Sequence, residues 1–220
     1  MSLPCVFCIL IKKIIIFEFF KMNLKSIAFL IVILEGGALL SYEIISSKIY
    51  TPYIGSTLHV WTSILFVTLI SLGISYRISQ FFISKKKWGI VTSALLIAGI
   101  YLFGILFLKD VLLKSTINLE IRTAAIFTGI VLLLIPVFLM GLVTPLLAAY
   151  LSSVELDKKS QIGSISGKMY GFGTLSGVVC TLIFLYFIIP FIGVKLSIAI
   201  IALMLITASL LSFTLIKKWK

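Results

Sequence analysis

The chain has 220 residues, 61% of them hydrophobic and 12% charged, with a mean hydropathy of +1.25. A water-soluble domain of this size has no means of hiding so much apolar surface, so composition excludes that class and makes lipid the solvent. The formal net charge of +12 does not mark a nucleic-acid binder, because the basic residues gather at the ends of apolar runs, where they set membrane orientation, and form no basic face of a soluble module.

Residues 1–21 are apolar but broken by Lys12, Lys13 and Glu18. They are too short to span before the lysines and lack a small-residue cleavage site. They read as an N-terminal extension lying in the membrane interface, with Met22 as an alternative start. Cys5 and Cys8 have CxxC spacing without a second ligand pair. Together with Cys180 they read as inert small hydrophobes, and neither a metal nor a cofactor is expected.

Residues 22–220 read as a single all-α domain, a polytopic transmembrane helical bundle of six spans. A spanning helix needs about 20 mostly apolar residues. The first span covers Ser26 to Ile45, the second His59 to Phe82 and the third Trp88 to Leu108. The fourth begins near Thr123, the fifth near Met169, and the sixth covers Leu196 to Ile216. Lys48, Lys109, Lys114, Arg122 and Lys195 fall on one side of such a bundle, and the other 14 of the 19 basic residues on the opposite side. That asymmetry predicts cytoplasmic termini in a plasma membrane, the bacterial inner membrane. Trp61 and Trp88 fit an interfacial belt.

The first span carries EGGALLSYE, residues 35–43. Counted from Lys25 at about 1.5 Å per residue, Glu35 lies about 15 Å deep and Glu43 about 12 Å further on. Eight residues turn the helix through about 80°, so both acids share one broad interior face. A charge at that depth costs about 2.5–3.5 kcal/mol. Two readings follow. In one, Glu35 carries a proton or binds a cationic solute, with Glu43, Tyr42 and Tyr53 at the outer mouth. In the other, it is a neutral group bridging helices through Thr68, Ser71, Thr128, Thr174 or Ser176. Glu43 is expected to pair with Lys48. His59, the single histidine, is expected to be structural, with proton sensing beside Glu43 as the sharper alternative.

The fourth span is too long to be simple. Thr123 to Val154 is 32 residues without a formal charge, about 48 Å of helix. Pro136, Gly141 and Pro145 predict a kink or break around Leu139 to Pro145, with the remainder leaving the membrane or lying along it. That stretch reads as a functional lining or as a packing kink. In the fifth span Gly163, Gly167 and Gly171 are spaced by four, as are Gly173 and Gly177. With Gly36 and Gly37 they are expected to let helices approach closely.

EGGALLSYEIISSKIYTPYIGSTLHVW resembles the start of the membrane half of the spermidine-synthase-like membrane proteins, often described as fused major-facilitator/spermidine-synthase proteins. The positions that carry the likeness are Glu43, Lys48, Pro52, Tyr53, Ile54, Gly55, Ser56 and Trp61. PVFLMGLVTPLL (Pro136 to Leu147), GSISGKMYGFGTLSGVVCT and IIPFIG resemble the second half, so the likeness runs from about Met22 to Lys220. The resemblance implies a multi-pass module commonly followed by a cytosolic aminopropyltransferase-like domain. No residues of such a domain occur in this sequence, so it is not expected to be an enzyme.

Two functions are then in competition. One is a small-solute transporter module, amine or proton-coupled, in the lipid bilayer, alone or as a homo-oligomer. The other is a non-catalytic membrane anchor for a separately encoded, synthase-like cytosolic protein that docks on residues 152–168.

Overall fold

The computed structural model describes residues 24–116, 118–154 and 162–217. The N-terminal extension with its CxxC pair, and the middle of the 152–168 segment, lie outside the described residues. Among the described residues all regular structure is helical. The helices are α1 (Leu24–Ile54), α2 (Leu58–Ser84), α3 (Ile90–Ser115), α4 (Ile121–Gly129), α5 (Ile135–Gly141), α6 (Val143–Val154), α7 (Ile162–Ile183) and α8 (Ile189–Lys217). Two π-helical segments, Ile130–Leu134 and Phe184–Ile188, join α4 to α5 and α7 to α8.

Five stretches are long and apolar enough to cross a membrane: Leu24–Ile54, Leu58–Ser84, Ile90–Ser115, Ile121–Ser153 and Gly163–Lys217. The bundle is therefore compatible with a multi-pass membrane protein. Large apolar side chains such as Phe66, Leu69, Phe107, Val111, Phe187 and Phe191 cover its outside, the inverse of a water-soluble surface.

α1 runs nine residues beyond the predicted end at Ile45, because its polar turns satisfy themselves. Ser46 donates to the carbonyl of Tyr42, Ser47 to that of Ile44 and Thr51 to that of Ser47. Gly55 ends the helix at φ +82°, in the left-handed region where a side chain is strained. Thr57 then caps α2, its hydroxyl accepting from the Val60 amide at 3.4 Å.

The fifth apolar stretch holds 55 residues, about 80 Å if straight. It is not straight. Gly193 takes φ +76° and ψ 171°, and the chain folds back there, so that a Cβ on Gly37 would meet both Cys180 and Met204. The two corners carry similar residues in order, Pro52-Tyr53-Ile54-Gly55 and Pro190-Phe191-Ile192-Gly193, with an aromatic residue second in both.

Contacts fix the relative directions. α1 and α7 run parallel, with Gly36 against Gly173 and Leu40 against Gly177. α2 runs parallel to the fourth stretch, with Ser63 facing Gly129 and Ser75 facing Gly141. α3 and α8 are antiparallel, tied by Thr92 to Ser212 at 2.9 Å and by Ser209 donating to the Thr92 carbonyl at 2.9 Å.

In the fourth stretch the helix is interrupted at Leu142, a single turn residue within Leu139 to Pro145. After Pro145 α6 stays packed in the bundle, with Val143, Leu146, Leu147 and Leu151 buried. The larger distortion, the π segment, lies upstream at residues 130–134, because a proline disturbs the turn before it, where its ring meets the carbonyl four residues back. The second π segment likewise ends two residues before a proline, Pro190. Trp88, two residues before α3, is buried, edge-on to Tyr150 with ring centroids 5.5 Å apart. Trp61 is exposed.

Candidate functional site

Glu35 lies eleven residues into α1, and Thr144 ten residues before the end of α6. The two helices are antiparallel, so these positions meet at one level of the bundle. The Thr144 hydroxyl donates to Glu35 Oε2 at 2.9 Å. Glu35 is only 3% exposed, yet its second oxygen, Oε1, accepts no hydrogen bond among the described residues. Glu35 borders a cleft of about 180 Å³ whose walls include Leu72, Tyr76, Gly141, Tyr170 and Thr174. Tyr76 from α2 and Tyr170 from α7 meet edge to face there, with centroids 6.5 Å apart at 89°. No lysine, arginine or histidine lines the cleft.

Glycines create this space. A Cβ on Gly36 would collide with the backbone of Gly173, and one on Gly177 with Leu40 and the Gly36 carbonyl. The helix bearing the acid is thus pressed directly onto α7, and Ser176 donates to the Ile33 carbonyl at 2.9 Å across the same seam. Gly36, Gly37, Gly173 and Gly177 take the packing role expected of them. Gly163, Gly167 and Gly171 do not: a Cβ at any of them would meet nothing within 4 Å. They lie on the N-terminal half of α7, turned away from α1, so their spacing carries no contact here.

The other predicted site residues are not gathered around Glu35. Tyr42 is fully buried, and its hydroxyl donates to the Leu132 carbonyl at 2.9 Å. Tyr101 donates to the neighbouring carbonyl of Val131. Both acceptors are explained by Pro136. An α-helical bond from residue 136 would reach Leu132 and a π-helical one Val131, and proline has no amide hydrogen for either. Two tyrosines from two other helices supply the missing donors. Glu43 is partly buried and accepts from the Thr68 hydroxyl at 3.0 Å. It forms no ion pair with the exposed Lys48, because five residues on a helix point the two side chains to different faces. Thr68 is thereby a partner of Glu43 and not of Glu35. His59 is exposed at the start of α2, with no carboxylate bonded to it.

Tyr53 belongs to a cluster that sequence reasoning missed. Its hydroxyl donates to Asp110 Oδ1 at 3.3 Å, where Lys109 also binds at 2.7 Å, while Lys195 stands 3.6 Å from Oδ2. Asp110 therefore ties the ends of α1 and α3 to the start of α8. The signal was an acid beside a lysine at what looked like a plain span end. Thr144, Tyr76 and Tyr170 were missed because none is unusual in an apolar span by itself. Among the described residues no group of three or more His, Cys, Asp or Glu is placed to hold a metal. No protein-family model, curated protein or solved structure matches the chain.

Proposed function

We propose that this chain is a six-span small-solute transporter module, amine or proton-coupled, with both termini on the cytoplasmic side of the plasma membrane. The sixth span comes from dividing the 55-residue stretch at Gly193. The likeness of residues 22–220 to the membrane half of spermidine-synthase-like proteins belongs to the same proposal.

The observation that carries it is the setting of Glu35. A buried carboxylate with one neutral hydroxyl donor and no cation is costly in its charged form, by several kcal/mol. It is accommodated by taking up a proton or a cation, and the cleft that Glu35 lines gives either one room. An acid whose sole task was to bridge helices would not need to line a cleft.

The test is Glu35→Gln in proteoliposomes. The amide keeps the Thr144 contact and the packing but cannot change charge. Solute-driven proton or cation flux is expected to vanish while the melting temperature in detergent holds. Undiminished flux rejects Glu35 as the carrier.

A further inference from the structure

The Glu35 cleft does not stand alone. Tyr170 walls it on one side and on its other side borders a wider groove of about 500 Å³ between α6 and α7. That groove is lined by Pro145, Ser152, Ser153 and Ser166, and it leads toward the end of the bundle where α6 finishes and α7 begins. Ser152 and Ser153 donate their hydroxyl hydrogens to the carbonyls of Ala148 and Tyr150 at 2.8 and 2.7 Å, which leaves their oxygen lone pairs as acceptors. Tyr170 is 40% exposed, touches Tyr76 by ring edge only, and its hydroxyl is held by no hydrogen bond among the described residues.

Charge is distributed unevenly around this path. The chain carries 19 basic residues against 7 acidic ones, yet among the described residues no basic side chain lines either cavity. Every polar side chain among the described lining residues ends in an oxygen, and Glu35 is the one carboxylate among them. One carboxylate balances one positive charge. Divalent ions call for a fuller set of oxygen ligands, with carboxylates among them. The complementary ligand is a monovalent cation, an alkali ion or a primary ammonium.

We propose that a monovalent cation reaches Glu35 through the serine-lined groove between α6 and α7, and that Tyr170 is the shutter between groove and cleft. Swinging the Tyr170 ring off Tyr76 joins the two cavities, and returning it separates them. The proposal rests on the reading of Glu35 as a proton or cation site and adds the route, the side of access and the gating residue.

Thiol accessibility tests it without requiring transport. In a chain with Cys5, Cys8 and Cys180 changed to Ala, Ser166→Cys reports the groove and Thr174→Cys the cleft. A membrane-impermeant thiol reagent is applied from each side of sealed vesicles in the presence of sodium, potassium or methylammonium. Both cysteines are expected to react from one and the same side. Tyr170→Trp is expected to slow Thr174→Cys and leave Ser166→Cys unchanged, while Tyr170→Phe, which keeps the ring, alters neither. At about ten times its Kd, the bound cation leaves about a tenth of the sites free and slows Thr174→Cys about tenfold. Glu35→Gln is expected to remove that protection.

Reaction of Thr174→Cys from the opposite side only, or a rate indifferent to Tyr170→Trp, overturns the route and the shutter. Protection by none of the three cations, with the accessibility pattern intact, overturns the cation and the reading of Glu35 beneath it, and leaves the route standing.

Discussion

The Tyr42 hydroxyl lies 2.9 Å from the Leu132 carbonyl oxygen, and Leu132 is the residue four before Pro136. A side chain of one helix thus supplies the donor that proline denies to another. Tyr42→Phe is expected to strand that carbonyl in the core and cost about 1–3 kcal/mol. Pro136→Ala puts a backbone amide back within its reach. The penalty of Tyr42→Phe should therefore shrink in the Pro136→Ala background, with a coupling of roughly 0.5 kcal/mol or more in a double-mutant cycle. Reversible unfolding in detergent measures it, and equal penalties in the two backgrounds refute the assignment.

Gly36 and Gly171 are both glycines in apolar helices, but only Gly36 touches another backbone. Gly36→Ala must push α1 off α7, with an expected cost of about 1–3 kcal/mol from overpacking. It should also deform the wall of the Glu35 cleft. Gly171→Ala meets open space and gains helix propensity, so it should stabilise by up to about 1 kcal/mol. Thermal denaturation of the two variants side by side decides the matter, and similar losses would contradict the packing described.

At the corner, Gly193 holds φ +76° with no neighbour within 4 Å of a would-be Cβ. Gly193→Ala should cost about 1–3 kcal/mol through backbone strain alone, because φ +76° with ψ 171° lies in a region open essentially to glycine. Gly193→Asn should lose a similar amount, since the left-handed region that asparagine tolerates has ψ of about +30 to +60°. An Asn or Ala variant as stable as the glycine chain would refute the strain.

Glu43 is held by a hydroxyl and not by a cation. Thr68→Val should destabilise by about 1 kcal/mol, as a carboxylate oxygen loses its donor in a partly buried setting. Lys48→Ala, at an exposed position, should stay within about 0.5 kcal/mol. Added salt should leave the difference between the two unchanged. A salt-sensitive loss in Lys48→Ala would restore the ion pair.

Much of the helical framework is visible in the sequence, because apolar runs bounded by lysines have one inexpensive fate in lipid. Pro52 and Gly55 mark their corner plainly, and Gly36 with Gly37 announce a close approach. The partner of Glu35 was hidden for a specific reason. Thr144 sits beyond Pro136 and Gly141, where a break was expected to carry the chain away, so depth counting never placed it opposite residue 35. A second cause is geometric. A spacing of four, as in Gly163, Gly167 and Gly171, says that small side chains share a face, and says nothing of whether another helix lies over it. The serines of α2 show the converse. Ser63, Ser71, Ser75 and Ser79 are buried, with Ser63 and Ser75 against Gly129 and Gly141, yet serine is less conspicuous than glycine as a packing residue. Asp110 stands two residues past the predicted end of the third span at Leu108, and its partners Tyr53, Lys109 and Lys195 come from three helices.

The seam between α1 and α7 has a consequence for how the chain is made. Parallel helices cannot be neighbours in sequence, and Ile33 and Ser176, which bond across this seam, are 143 residues apart. A ribosome at about 5–20 residues per second takes several seconds or more to cover that separation. During that interval α1 is already synthesised while its glycine face has no helix to meet, and Glu35 lacks the α7 wall of its cleft. Loop closure over such a distance is entropically unfavourable and late. α1 is thus made long before it is fully packed, and the newborn chain must shelter an acid until α7 arrives.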